Sequence, residues 1–326
     1  MTAARFPDAV RAGPLIVTSG FSGAAAGGGR QGGGASAAAY AALAQALEGQ
    51  GVSAAHVARL DHFTQSQGWL AERQQARAAM FGRPAPIAST GVATVQPEGE
   101  MLTVAAMAVA EGDVTVIASG ADHAMPAIAA SVRAGPFLLI SGVLTDGEGS
   151  ALAQRAHCLA TIEALLDEIG LSPARLMRLD AFAASPSEHD ALVAAMRDRW
   201  GGCHFVIGGG VAQFDRPGQI EVNALALADG VPQVDRWIAG GGVAVGGPWV
   251  LPEDATVATI VAQIERAGAP LAALARIELR WPRAADKTAL VEALTRLLPE
   301  ACRPALLIWF SAGPPMLMMI AALEDG

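Results

Sequence analysis

The segment Val10–Gly20, VRAGPLIVTSG, returns as Val132–Gly142, VRAGPFLLISG. Seven of the eleven positions are identical and the other four stay apolar or nearly so. A self-match of this quality means that the chain is built from a repeated unit, and the unit then dictates the fold. A third, worn copy runs from Ala239 to Gly247. A second marker gives the same count. A helix-ending glycine precedes, by eight residues, a basic residue, an aliphatic and an acid: Gly51 before Arg59-Leu60-Asp61, Gly170 before Arg178-Leu179-Asp180, Gly268 before Arg276-Ile277-Glu278. The copies fill the chain, with expected bounds of 1–115, 116–232 and 233–326.

Within the first copy, residues 5–19 read as a β-hairpin around the turn Ala12-Gly13-Pro14, and the Gly/Ala stretch 23–34 as a loop. Residues 35–49 read as a helix, 57–63 as a strand, 69–81 as a helix, and 88–95 and 101–110 as strands. The order β-β-α-β-α-β-β recurs in the other two copies, so the class is α/β (α+β). Two helices cover one face of each mixed sheet. The other face is also apolar and needs a partner, which three sheets facing inward around a pseudo-threefold axis supply. The acids Asp61, Asp180 and Glu278 lie two residues after Arg59, Arg178 and Arg276, on the same strand face, and are expected to form surface ion pairs.

With 52% apolar and 16% charged residues the composition is that of a globular protein. A net charge of -9, with Lys287 the single lysine, argues against nucleic acid. Cys158, Cys203 and Cys302 form no even framework and no CxxC pair, and no leader peptide is recognisable, which points to the cytoplasm. The uncharged run Pro304–Leu323 is long enough to cross a bilayer. Gly313-Pro314-Pro315 breaks it, and each half aligns with a strand of the earlier copies, so no membrane association is expected.

The stretches AVRAGPLIVTSG, VARLDHF and PEGEMLTVAAMAVA resemble the RidA (YjgF) family, nearly end to end in copies one and two and more weakly in copy three. The resemblance implies chorismate-mutase-like units that assemble as trimers with small-molecule sites in the clefts between neighbours. This chain then looks like a trimer fused into one polypeptide, a monomer or homodimer in solution. The related cyanuric acid hydrolases use Ser–Lys pairs in every unit. One lysine, on an expected surface helix, cannot repeat that. Family deaminases clamp an enamine or imine acid with an arginine of the penultimate strand and use a glutamate of the last strand for proton handling. The arginine position falls at Ala88, near Ile207 and near Ile308, and the glutamate position at Ala105, Asn223 and Met319. The pocket serine is kept as Ser19 and Ser141 and becomes Gly246. The pocket tyrosine falls at Phe6, and a helix asparagine at Gln74. Clamp and acid are both gone.

Polar residues that remain are therefore the candidates. Asn223 sits in the otherwise apolar strand Ile220-Glu221-Val222-Asn223-Ala224 and could anchor a ligand or water. His204 is the nearest titratable proton carrier in sequence, and Arg30, on the Gly-rich loop, could replace the clamp. His62 and Asp61, neighbours on a strand, face opposite ways and are set aside. The glycine-rich stretches lack a phosphate-loop signature, and the histidines near acids sit at helix starts or linkers, so no cofactor and no metal is expected. Decay would erode all three clefts alike, whereas repurposing would leave one richer. Copies one and two keep Ser19, Gln74, Thr90, Ser141, His204 and Asn223. The expectation is a diverged enzyme of hydrolase, deaminase-like or lyase type, acting on a small reactive metabolite in one cleft. The alternative is a non-catalytic binder or scaffold of the same fold.

Overall fold

The computed structural model describes residues 6–24, 33–66, 70–81, 87–119, 129–145, 148–214, 219–235, 237–268 and 271–323. The first sheet and its helices comprise β1 (Ala9–Ala12), β2 (Leu15–Thr18), β3 (Phe21–Ala24), α1 (Gly33–Gly49), β4 (Val57–Thr64), α2 (Leu70–Phe81), β5 (Ala88–Ala93) and β6 (Glu100–Val109). The second comprises β7 (Val114–Ser119), β8 (Ala129–Ala134), β9 (Phe137–Leu144), α3 (Ala151–Asp167), β10 (Leu176–Ala183), α4 (Pro186–Arg199), β11 (Val206–Val211) and β12 (Ile220–Leu227). The third comprises β13 (Gln233–Val234), β14 (Ile238–Gly240), β15 (Val243–Val250), α5 (Val257–Arg266), β16 (Leu274–Trp281), α6 (Lys287–Leu297), β17 (Ala305–Phe310) and β18 (Met316–Ala322).

Each sheet has six strands, and in each the last strand lies between the hairpin and the central strand: β2-β6-β4-β5, β9-β12-β10-β11 and β15-β18-β16-β17. The pairs β4–β5, β10–β11 and β16–β17 are parallel, as the intervening helix requires. The repeated Ala-Gly-Pro turn needs its glycine because Gly13 and Gly135 take φ +54° and +55°. Three strands were not anticipated. β3 occupies the start of the expected loop and pairs with β6, while β7 and β13 extend the second and third sheets at one edge.

Alternation along the strands separates two kinds of core. Leu43, Leu47, Leu60 and Val104 pack under the helices of the first unit. Ile162, Leu166, Leu179 and Val222 do so in the second, and Ile260, Ile264, Ile277 and Met319 in the third. The opposite sheet faces meet one another: Val17, Met107, Phe137, Leu225, Val245 and Ile320, two from each sheet, share one cluster on the axis. Phe63, Phe182 and Trp309 form a second axial cluster, Phe63 stacked on Trp309 at 5.1 Å.

Between these two apolar layers lies a ring of charge, which corrects the expected surface ion pairs. Arg59 bonds Asp61 and reaches across to Asp180 at 3.0 Å. Arg178 bonds Asp180 and reaches Glu278 at 2.6 Å, and Arg276 bonds Glu278. All six side chains are buried. They face inward because residues 59, 61 and 63 share a strand face with Phe63. Burial raises the Glu278 carboxyl, yet Arg178 and Arg276 hold it far below the usual carboxylate range.

Candidate active site

The repeated Ser-Gly joins neighbouring units. Ser141 Oγ accepts the Ser89 N–H at 2.9 Å and donates to the Ala129 carbonyl. Ser19 Oγ accepts the Leu306 N–H at 2.8 Å and donates to the Pro7 carbonyl at 2.8 Å. Ser89 and Leu306 hold the same register position in their sheets, one residue after the strand partner of the ring arginine. Each hydroxyl has spent its single proton on its own unit, so both serines act as staples between units.

The cleft between the first and second units holds a polar cluster. His62, on β4, points to the helix side, opposite Asp61. Its Nδ1 lies 3.0 Å from the Thr90 carbonyl, which can only accept, so Nδ1 carries the proton. Nε2 then accepts from Tyr40 Oη of α1 at 2.6 Å. Arg73 and Arg77, one turn apart on the buried side of α2, stand over this pair. Gly91 of β5 is half-buried, and a Cβ there would lie 3.2 Å from Arg73 Nη1. The Gly91 N–H donates to Glu221 Oε1 of β12 at 3.4 Å. Asn223, two residues on and on the same strand face, donates through Nδ2 to Thr90 Oγ1 at 2.8 Å.

Burial dominates the electrostatics of this cluster. It pushes the Glu221 carboxyl up to about 8, against the pull of the Gly91 N–H, Arg73 and Arg59. It lowers His62 well below its ordinary value, helped by the charges of Arg73 and Arg77. It raises the Tyr40 phenol to about 12 and lowers Arg77 to about 10. Arg73 is lowered too, with Tyr40 and Glu221 opposing. At neutral pH the cleft therefore presents a protonated carboxylic acid, a neutral imidazole, a phenol and two guanidiniums.

The equivalent positions elsewhere are apolar, with Thr103 the exception. The residue after the ring acid is His62 in the first unit, Ala181 in the second and Leu279 in the third. Twelve and sixteen residues after it stand Arg73 and Arg77, then Leu192 and Met196, then Leu290 and Leu294, all buried. Phe182 pairs with Glu221, whereas Phe63 pairs with Thr103 and Arg280 with Met316. In the cleft between the first and second units, the carboxyl comes from one unit and the guanidiniums from the other.

The expected site residues are distributed as follows. Thr90 and Asn223 meet in this cleft, and Gln74, half-buried, follows Arg73 on α2. His204 is exposed and lines a groove between the second and third units with Trp200, Cys203, Ile238 and Pro248, so it does not serve Asn223. Phe6 and Ser19 line a cavity of about 750 Å³ between the third and first units, with Leu306, Ile308 and Lys287. Lys287 is not on a free helix surface: its Nζ bonds Ser22 Oγ at 2.7 Å and Glu100 Oε2 at 2.5 Å, tying α6 to the first unit. Arg30 lies outside the described residues.

Register refines the positions inferred from the family resemblance. Ala88, Val206 and Ala305 face the ring arginines, so Val206 and Ala305 replace Ile207 and Ile308 as the counterparts of Ala88. Met318, not Met319, faces Glu278 as Asn223 faces Asp180. The family's clamp and acid positions hold no arginine and no glutamate, yet Glu221 places a carboxyl two residues before Asn223, and Arg73 and Arg77 of α2 place guanidiniums near it. Two signals could have found them. Glu221 shares the inward face with Asn223, and Arg73 and Arg77 sit four apart where the other copies carry Leu192 and Met196, and Leu290 and Leu294.

No helix among the described residues is long and apolar enough to cross a membrane. No family model matches the chain, and no curated protein matches it. Among solved structures, a chorismatase matches with a TM-score of 0.51 at 18% identity, covering 67% of this chain and 75% of that one. A YjgF-family protein from Mycobacterium tuberculosis covers 31% of this chain and 84% of its own (26% identity, TM-score 0.27). Another from Neisseria meningitidis covers 33% and 92% (21% identity, TM-score 0.30). The chain has the mixed α+β, chorismate-mutase-like fold of the chorismatase, in three similar units.

Proposed function

In a chain that carries the RidA (YjgF) fold three times over, we propose that the cleft between the first and second units is the single active site of a hydrolase- or lyase-type enzyme acting on a small metabolite. The observation that supports this most is the asymmetry: Tyr40, His62, Arg73, Arg77 and Glu221 converge in one cleft, while their counterparts are Leu, Met, Ala and Thr. Loss of function would leave no reason to keep five buried polar side chains together, since each costs desolvation.

Glu221 is the proton donor. A carboxyl held neutral by burial can protonate a substrate atom at neutral pH, and the Gly91 N–H and Arg73 then stabilise the carboxylate it leaves. Tyr40 is oriented by His62, whose tautomer the Thr90 carbonyl fixes, so the phenol oxygen presents its lone pairs to the ligand and the arginines. Asn223 holds Thr90 and with it the edge strand β5.

The test is to incubate the purified protein and its Glu221→Gln variant with a small-molecule cell extract and follow consumption by mass spectrometry. At least one metabolite should disappear with the wild type and persist with the variant. Identical profiles for both overturn the enzymatic assignment. A metabolite that is retained but not converted identifies the binder alternative.

A further inference from the structure

Resting on that assignment of the cleft, we infer that its ligand presents a hydrogen-bond donor, an N–H or O–H group, to Asn223 Oδ1, and that this oxygen sets the specificity of the site.

Asn223 is fully buried, and its two amide atoms fare differently. Nδ2 donates to Thr90 Oγ1 of the first unit at 2.8 Å, whereas Oδ1 takes no hydrogen bond from any described residue. A buried acceptor without a donor has given up its water for nothing, so folded proteins rarely keep one. The fold does not require an amide at this position. Ala105 and Met318 face Asp61 and Glu278 as Asn223 faces Asp180, and both are buried and apolar. Asn223 is also the single asparagine of the chain.

Its place gives the unpaired oxygen a ligand to serve. Asn223 and Glu221 stand two residues apart on one face of β12, about 6.8 Å along the strand. They flank the same stretch of β5, since Glu221 takes the Gly91 N–H and Asn223 holds Thr90. Gly91 is half-buried, so this stretch borders the open part of the cleft. A ligand atom that receives the Glu221 proton therefore lies beside Asn223 Oδ1. The phenol and imidazole nearby do not supply the missing donor: the Tyr40 proton goes to His62 Nε2 and the His62 Nδ1 proton to the Thr90 carbonyl. A donor group next to the protonated atom meets both residues at once, as in an amide, a lactam or an α-hydroxy carbonyl compound. A ketone of the same shape would leave Oδ1 buried and unpaired, and sites built around a hydrogen bond reject such analogues strongly.

The experiment uses the full chain and two pairs of neutral probes matched in shape, γ-butyrolactam with cyclopentanone and δ-valerolactam with cyclohexanone. Tyr40 is the single tyrosine, so ¹³C-tyrosine labelling gives one ring as the binding signal, and ¹⁵N-asparagine labelling gives one side-chain amide. Each lactam should bind at least tenfold more tightly than its ketone and should shift the Asn223 amide resonances. Asn223→Ala should erase the preference. Destabilisation alone would not erase it, because both probes of a pair meet the same fold. Should Asn223→Ala fail to fold, the wild-type ratio decides. Equal affinities, tighter binding of a ketone, a preference that survives Asn223→Ala, or no response of Tyr40 to any of the four probes overturns the inference. The enzymatic reading fails separately, by metabolite profiles that do not differ between wild type and Glu221→Gln, so the two failures are distinguishable.

Discussion

The carboxylate of Glu221 fills the space that a side chain on Gly142 would need: a Cβ built on Gly142 would overlap Oε1, Cδ and Cγ. The second glycine of the repeated Ser-Gly thus has a local reason. In the first unit a Cβ built at the matching position, Gly20, would lie 2.9 Å from Thr103 Cγ2. The backbone at Gly142 does not lie in the left-handed region, so alanine adds bulk without backbone strain. Gly142→Ala should push the Glu221 side chain out of the cleft, at an overpacking cost of about 1–3 kcal/mol. Turnover of whatever substrate is found should fall at least tenfold. In the Gly142→Ala, Glu221→Asp double variant, one methylene shorter, the thermal midpoint should partly recover. A Gly142→Ala protein as active and stable as wild type would show that Glu221 does not occupy this space.

Glu221 also gives the protein a recognisable pH signature. Its folded pKa, about 8, lies above the ordinary 4.5, so the folded state keeps a proton that the unfolded chain releases. The stability linked to that proton is present below pH 4.5 and is lost as pH rises toward about 8, at up to roughly 1.4 kcal/mol per pH unit. His62 acts in the opposite sense, because its lowered pKa makes the fold lose stability as pH falls below 6.5. The difference in unfolding free energy between wild type and Glu221→Gln isolates the first effect. It should shift in favour of the glutamine variant between pH 5 and 8. A pH-independent difference from chemical denaturation would mean that the carboxyl ionises normally. If Glu221 is the proton donor, the rate should also decline above pH 8.

Much of the fold was readable from the repeat. The hairpins, both helices of every unit and the order of strands follow from alternation and from the glycine turns, because those signals are local. The site was less readable, because its residues are brought together by pairing between units. Tyr40, His62 and Arg73 look like an isolated aromatic, a strand histidine and a helix arginine until β12 of the next unit sets Glu221 against Gly91. The ion ring was missed for the same reason. An acid two residues after an arginine reads as a surface pair on one strand, and only closure of three sheets on one axis buries it.

That ring should be costly to break. Arg178 bonds Asp180 and Glu278 and is buried, so Arg178→Met leaves two carboxylates with one guanidinium fewer between them. Removing one partner of a buried ionic group costs about 3–5 kcal/mol. Arg199, by contrast, pairs with Glu163 at the surface, where a pair contributes about 0–1 kcal/mol. Calorimetry should therefore find the Arg178→Met midpoint lowered by several degrees more than that of Arg199→Met. Equal midpoints would place the ring in contact with solvent.

Asn223 and His204 can now be separated. Asn223 is fully buried and holds Thr90, whereas His204 is exposed in a different groove. Asn223→Ala deletes a buried hydrogen bond between units and leaves the Thr90 hydroxyl to find another partner, a loss of about 1–3 kcal/mol. It should lower both the thermal midpoint and turnover. His204→Ala should leave both within error of wild type. A strong effect of His204→Ala on turnover would move the chemistry to the groove between the second and third units.

The last expectation concerns assembly. In a family of trimers each unit needs two neighbours to cover the inner face of its sheet. Here Met107, Leu225 and Ile320, one from each sheet, already share a single buried cluster, and the buried pairs Arg59–Asp180 and Arg178–Glu278 link the units within one chain. Among the described residues the inner sheet faces cover one another, so the driving force for trimerisation is spent inside the polypeptide. Light scattering coupled to size exclusion should give a mass of about 33.2 kDa, or twice that if an outer strand edge pairs two copies. A mass three times that of the chain would mean that the three sheets do not satisfy one another.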